Sequence, residues 1–310
     1  MDILKLKPAV KDYIWGGTKL ITDWGKDSLG KSVIAETWEL SLHPDGLTRV
    51  AGGEYDGRTL ADVLAGSGAA ALGTAVAGAA DFPVLIKLID AKDNLSVQVH
   101  PDDGYARRVE GQYGKTEVWY IIDAEPGSGI YFGFKKRITK AEFLRRIRQK
   151  TLTEVLNLVE AKPGDVFFIE AGTVHAICKG LTLCEIQQSS NVTYRVYDYG
   201  RIGADGKERP LHIDKAADVA ALTPPRARPA VISGACRIIA DCRYFKVTET
   251  VVTGGFTACA DARSFQAATL VNGAGTVGGL TAVRGDTFFV PAGYGEYEIK
   301  GNCTVLITTV

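Results

Sequence analysis

The chain has 310 residues, 46% hydrophobic and 23% charged, and its 36 basic and 36 acidic side chains cancel to a formal charge of zero at pH 7. That is ample apolar material for one large or two medium cores, and it offers no net basic surface to recruit nucleic acid or an anionic membrane. No stretch approaches the roughly 18 apolar residues of a membrane span, and residues 1–8 lack the apolar core of a signal peptide, so a cytoplasmic protein is expected.

In chain order, a short helix is expected over residues 60–64, followed by β-rich runs over 82–89 and 118–122. The longest helical pattern covers 139–158. There Thr139 supplies the cap, Glu142 closes the capping box, and Phe143, Ile147, Leu152 and Leu156 recur near helical spacing. Further strands are expected over 166–169, 183–187 and 192–199, and a short helix over 214–219. The Pro- and Arg-rich segment 223–229 reads as a linker into a final β-rich module of about 80 residues. The six cysteines (178, 184, 236, 242, 259 and 303) form no CxxC pair and read as small buried hydrophobes, with a disulfide framework the lesser alternative.

An internal repeat supports this division. Gly164-Asp-Val-Phe-Phe-Ile-Glu-Ala-Gly172 recurs as Gly285-Asp-Thr-Phe-Phe-Val-Pro-Ala-Gly293, with six of nine positions identical. Each copy reads as a Gly-Asp turn, a buried strand and a second glycine turn, the hairpin pattern of a small antiparallel jelly-roll barrel. The expected fold is therefore mainly β: two antiparallel jelly-roll barrels with a short helical element, divided as 1–222 and 223–310. The copies differ at one chemically important position, where the first has His175 and the second Glu296. The second barrel also lacks any Gln-x-His pair, so it is expected to be metal-free.

In Leu95-Ser-Val-Gln-Val-His-Pro-Asp-Asp103, strand alternation puts Gln98 and His100 on one face. Glu117 and His175 would complete a set of two imidazoles, one carboxylate and one amide oxygen. This N/O donor set without cysteine argues for a working metal rather than a structural zinc. The other two histidines, His43 and His212, read as ordinary structural residues. Glu117 alone would suit a solvated strand carboxylate, but Lys115 shares its face by alternation, so an interior charged pair is expected. Lys87, in the otherwise apolar run 84–89, is expected to open into a wet pocket because a dry core would cost several kcal/mol, with a snorkelling stem at a strand end as the alternative. Arg195 lies on a strand face with Thr193 and Tyr197; its guanidinium is cationic at any working pH.

The run from Pro83 to Asp103, with its Gln-x-His-Pro motif, strongly resembles the type I phosphomannose isomerases, zinc enzymes of the cupin superfamily. Glu36-Thr-Trp-Glu-Leu-Ser41 followed by His43-Pro44, then Gly114-Lys-Thr-Glu117, Gly172-Thr-Val-His-Ala176 and Ser189-Ser-Asn-Val-Thr-Tyr-Arg195, follow in the family's order over roughly residues 10–200. The length resembles the compact bacterial form. The resemblance implies one Zn2+ per chain held by Gln98, His100, Glu117 and His175, with Arg195 catalytic and Lys87 and Lys115 as pocket lysines. Lys115 also stands as a candidate for proton transfer. It further implies a small-molecule sugar phosphate as substrate, with mannose 6-phosphate and fructose 6-phosphate interconverted through an enediol-type intermediate. Thr116 stands where longer members carry proline, so their phosphate contacts do not transfer. Two other readings compete: a cupin metal-dependent oxygenase, since two histidines and a carboxylate also suit iron, and a non-catalytic sugar-phosphate-binding cupin. Gln98 weighs against the first and the intact donor set against the second. Oligomeric state has no signature in the sequence.

Overall fold

The strand Val84–Ala91 is buried at all eight positions, because it lies in a sheet covered on both faces. On one side Val84, Ile86 and Leu88 pack with Phe265, Phe289 and Leu306. On the other, Ile89 and Ala91 pack with Trp119, Ile121 and Ile177. The period-2 geometry of a strand thus feeds two cores at once. The computed structural model that shows this describes residues 1–76, 79, 81–203, 206–226, 228 and 230–310.

Three antiparallel sheets are stacked around these cores. The central, six-stranded sheet runs in the order Val166–Ile169, Glu117–Ala124, Leu181–Gln188, Val84–Ala91, Glu36–Leu40, Ala9–Lys11. Facing it is a five-stranded sheet, ordered Tyr194–Tyr197, Val97–Val99, His175–Ile177, Gly129–Phe134, Leu156–Glu160. A nine-stranded sheet built mainly from residues 231–309 covers the opposite face and takes in Leu4–Lys7, which pairs with Thr287–Val290. The protein is therefore mainly β and antiparallel, with jelly-roll layers that face one another rather than barrels closed by hydrogen bonds among the described residues.

The repeat is conformational as well as sequential. Val166–Ile169 and Thr287–Val290 are equivalent strands, and the glycines flanking them, Gly164 and Gly172 in one copy and Gly285 and Gly293 in the other, all have positive φ. Glycine is the residue that adopts this conformation without penalty.

The expected helix over 139–158 is shorter than its pattern. It spans Lys140–Arg148, with the Thr139 hydroxyl accepting the Glu142 N–H at 3.1 Å. Phe143 and Ile147 are buried, and Phe143 meets Phe134 edge-on. The five-residue step from Ile147 to Leu152 breaks the helical period. Lys150 turns the chain with φ 58°, Leu152–Glu154 forms one 3-10 turn, and Leu156–Glu160 becomes an edge strand against Gly129–Phe134. The Glu142 carboxylate faces Arg146 at 3.5 Å instead of closing the box. The shorter helices lie at Leu60–Ser67 and Ile213–Val219.

Two residues of the expected linker, Ala227 and Pro229, lie outside the described residues. Of its other members, Arg228 pairs with Glu170 and stacks over Phe168. All six cysteines are free, and only Cys184 and Cys303 are buried, so the small-hydrophobe reading holds for those two. No described helix is long and apolar enough to cross a membrane.

Candidate active site

The five-stranded sheet sets three polar side chains in a row, because Gln98 is the cross-strand partner of His175 on one side and of Arg195 on the other. His100 follows two residues after Gln98, with its side chain buried. Glu117 approaches from the facing sheet, where its strand lies between Val166–Ile169 and Leu181–Gln188. His175 Nε2 lies 3.3 Å from Glu117 Oε1, and His100 Nε2 lies 3.8 Å from Glu117 Oε2. The Gln98 amide is 3.4 Å from His175 Nε2. The ligand atoms of His100, Glu117 and His175 all fall within 4.8 Å of one another. A tetrahedral ion with bonds of about 2.0–2.1 Å separates its ligand atoms by roughly 3.3 Å.

Both imidazoles are fixed in one tautomer. His100 Nδ1 donates to the Val192 carbonyl and His175 Nδ1 to the Thr173 carbonyl, each at 2.8 Å. A carbonyl only accepts, so the protons sit on Nδ1 and the Nε2 lone pairs converge on Glu117. Burial, reinforced by the charge of Lys115, holds both rings neutral, with His175 pulled down to about 4 and His100 well below its ordinary value. Glu117 Oε1 is buried and has no hydrogen-bond partner. Two lone-pair atoms 3.3 Å apart, both dry, are what a cation between them would satisfy, so the donors fit a metal. The Gln98 amide, turned by 180°, would offer its oxygen to the same point.

Beside this cluster runs a chain of alternating charges on the inner face of the central sheet. Lys115 Nζ bonds Glu117, lies 3.2 Å from His100 Nε2 and stands 3.6 Å from Glu185. Lys87 Nζ lies 3.2 Å from Glu185 and 3.5 Å from Glu36. Burial pushes the Glu185 carboxyl up, but the charges of Lys115 and Lys87 outweigh it and hold this acid below its usual range. Glu117 is pushed the other way, by burial and by the like charge of Glu185. Burial lowers Lys87, and the carboxylates Glu36 and Glu185 more than reverse it. Trp38 and Trp119 donate indole N–H bonds to Glu36 and Glu185, at 2.7 and 2.9 Å.

These groups open onto a cavity of about 280 Å³, with Gln98, Lys87 and Lys115 toward the donor cluster and Arg195 and Arg209 also in its wall. Lys87 thus has the polar cavity its strand position called for. Arg195 is half-buried, donates to the Pro210 carbonyl at 3.1 Å, and receives its backbone fixation from His212, whose Nδ1 accepts the Arg195 N–H. His43 accepts the Asp45 N–H and packs on the edge of Trp38.

Glu36, Glu185 and Arg209 carry no role in the sequence reading. The available signal for Glu185 was the one that singled out Lys87, a charge in an otherwise apolar buried strand. Lys87, Glu185 and Trp119 stand opposite one another in register. Asp103 positions the segment carrying Lys115, accepting the Gly114 N–H and the Gln188 amide at 2.9 Å each.

Residues 3–121 match the family profile of the phosphomannose isomerase type I catalytic domain, and residues 230–310 that of the mannose-6-phosphate isomerase cupin domain. The chain is 37% identical to the probable mannose-6-phosphate isomerase GmuF of Bacillus subtilis (strain 168) and 35% identical to mannose-6-phosphate isomerase ManA of the same organism, in both cases over 98% of each chain. The crystal structure of the mannose 6-phosphate isomerase from Bacillus subtilis superposes over 100% of both chains with a TM-score of 0.89 at 33% identity. A mannose 6-phosphate isomerase solved with bound zinc and yttrium shares the fold at 18% identity, with a TM-score of 0.79 over 99% of each chain.

Proposed function

The chain belongs to the type I phosphomannose isomerases, and from that membership we propose that it interconverts mannose 6-phosphate and fructose 6-phosphate with one zinc ion held by Gln98, His100, Glu117 and His175. The observation that carries the metal reading is the orphaned Glu117 Oε1 facing the lone pair of His175, both tied into a dry site. Residues 1–222 form the catalytic unit in this reading. Residues 223–310 form a second cupin-like unit without metal, where Glu296 stands at the position of His175.

The bound ion would supply Lewis acidity to the sugar's carbonyl oxygen. The protein's own groups do the rest. In the isomerisation the proton on one carbon leaves, its electron pair enters the carbon–carbon double bond of an enediol, and a proton is delivered to the neighbouring carbon, so no outside oxidant or reductant is needed. Arg195 stays cationic throughout and stabilises the oxyanion, being cross-strand to Gln98 and in the cavity wall. Lys115 Nζ lies between Glu117 and Glu185 at the donor end of the cavity and is the group placed to hand a proton to the sugar and recover it. Lys87 and the carboxylates around it contact the sugar hydroxyls from the cavity wall.

A coupled assay on mannose 6-phosphate, run with metal analysis of the same sample, tests this reading. Activity should vanish on chelation and return with zinc. Full activity after complete metal removal, or oxygen consumption with iron and no isomerisation, would overturn it.

A further inference from the structure

The backbone that carries Lys115 into Glu117 is held by two side chains. Asp103 Oδ1 accepts the Gly114 N–H and the Gln188 amide, each at 2.9 Å. Gln188 Oε1 accepts the Thr116 N–H at 3.0 Å, and the Gln188 N–H donates to the Thr116 carbonyl at 3.1 Å. The Lys115 N–H reaches the Pro101 carbonyl at 3.0 Å, so this segment lies against the residues that follow His100. The approach is close, for a Cβ on Gly114 would stand 2.5 Å from the Asp103 nitrogen. Asp103 thus ties the backbone bearing His100 to the backbone bearing Lys115 and Glu117.

That tie uses one carboxylate oxygen. The other, Oδ2, accepts from Arg243 Nη2 at 2.6 Å, and the Tyr244 hydroxyl bonds the same carboxylate. Both donors come from the C-terminal module, in the turn between the strands Cys236–Asp241 and Lys246–Ala260. The turn is itself fixed. The Cys242 N–H and thiol donate to the Phe245 carbonyl at 3.1 and 3.3 Å, and Phe245 is buried in the core it shares with Val84 and Ile86. The Arg243 guanidinium lies 4.5 Å over the Tyr244 ring. A carboxylate gripped on both oxygens does not rotate about its Cβ–Cγ bond, whereas one gripped on a single oxygen is free to.

We propose that Arg243 and Tyr244 are positioning residues for Lys115 and Glu117, acting from the C-terminal module through Asp103. The assignment rests on the isomerase reading above and reaches the site from outside the cavity, whose wall includes neither residue. The Arg243 side chain is 70% exposed, and an ion pair this open adds little to stability. A merely structural contact there would leave turnover alone. Lys115 Nζ, by contrast, is placed to within 3.6 Å of both His100 and Glu185, and a shift of about 1 Å in such a group is enough to slow turnover many-fold.

The test is a mutant cycle in the zinc-loaded full chain, with Arg243→Met and Tyr244→Phe combined as one variant, Asp103→Ala as the second, and all three together. kcat and KM for mannose 6-phosphate are read, with deuterium exchange of the peptide spanning 113–117 as a readout that needs no turnover. The Arg243→Met, Tyr244→Phe variant should lower kcat about 5- to 20-fold with KM changed by less than about threefold, and exchange over 113–117 should quicken about 10-fold while that over 84–91 stays as in the parent. Arg243→Lys, which keeps a donor, should retain most of both. In the Asp103→Ala background the same pair of substitutions should change kcat by less than about twofold, because its route has been cut. Values of kcat and of exchange within about twofold of the parent, or an undiminished effect in the Asp103→Ala background, would overturn the proposal. If Asp103→Ala does not fold, kcat and exchange in the Arg243→Met, Tyr244→Phe variant decide. A parent that fails to convert mannose 6-phosphate would refute the isomerase reading instead, and exchange over 113–117 would then decide the positioning role by itself.

Discussion

Glu185→Gln is the substitution that most directly tests whether the buried charge chain holds the site together. The glutamate is almost fully buried, and its Oε1 lies 3.2 Å from Lys87 Nζ and 3.6 Å from Lys115 Nζ. At an effective dielectric of about 20, each of these attractions is worth roughly 5 kcal/mol, and desolvating the carboxylate offsets several kcal/mol of that sum. Glutamine keeps the shape and can still accept the Trp119 N–H, but it leaves two buried ammonium groups sharing the remaining carboxylates Glu36 and Glu117. A loss of about 3–5 kcal/mol in unfolding free energy is expected from urea titration of the chelator-treated protein, with weaker metal binding and a lower kcat in the reloaded enzyme. The pH dependence has a definite sign. Glu185 is held below its unfolded value of 4.5, so its contribution is present above pH 4.5 and is lost as the pH falls below it. The variant should accordingly show a flatter acid limb. Adding Lys87→Met to Glu185→Gln should recover part of the loss, because one stranded charge is then removed. A single-variant loss under about 1 kcal/mol, with metal binding and turnover intact, would refute the charge-chain account.

Lys115→Met should retain zinc and lower kcat, and an unchanged rate constant would remove this lysine from the mechanism. Gly172→Ala should cost about 1–3 kcal/mol by thermal or urea unfolding, because φ is +89° and a new Cβ would stand 2.9 Å from the Val219 carbonyl oxygen. Its metal affinity should fall too, since the Gly172 N–H bonds the His100 carbonyl two residues before the turn reaches Val174 and His175. Burial raises the Asp103 carboxyl, but the bonds from Gly114, Gln188 and Arg243 prevail and hold it low. Its contribution is therefore present above its unfolded value of 3.8 and lost on acidification through it. Asp103→Asn should flatten stability in that acid range at a cost of about 1 kcal/mol near neutrality, as read from urea midpoints across pH.

The sequence makes strand-borne features readable and hides those set by pairing between distant strands. Gln98 and His100 could be placed on one face because two-residue alternation is local, and Lys87 stood out because a charge interrupts an apolar run. Glu185 interrupts its buried strand in the same way, but nothing local tells which groups it faces. Its role exists only because Leu181–Gln188 pairs with Val84–Ala91 and Glu117–Ala124 at a register that sets it beside Lys87 and near Lys115. The helix overran for a related reason. Leu156 continues the apolar spacing, but the edge of Gly129–Phe134 offers it backbone hydrogen bonds that a fifth helical turn could not match. Arg209, in an irregular segment, is placed by its ion pair with Asp198, and no periodicity anticipates such a clamp.

The same alternation explains why a chain with one His-Glu-His cluster among its described residues carries the β unit twice. A sheet that presents Lys87, Glu185 and Glu117 to a cavity on one face must bury its other face against something apolar. Residues Val84, Ile86, Leu88, Val118, Cys184 and Ile186 are that other face. The C-terminal module supplies the cover through Phe265, Phe289 and Leu306, with the rings of Phe265 and Phe289 stacked at 5.2 Å. Cutting Phe265 to alanine would open a cavity there at a cost of about 3–5 kcal/mol, far from any donor atom. Its effect on metal binding would be transmitted through one strand thickness, since Leu85 and Lys87 alternate with Val84 and Ile86 along the same backbone. The second copy can dispense with histidine because its contribution is the wall, and a wall asks for shape and apolar surface rather than for lone pairs.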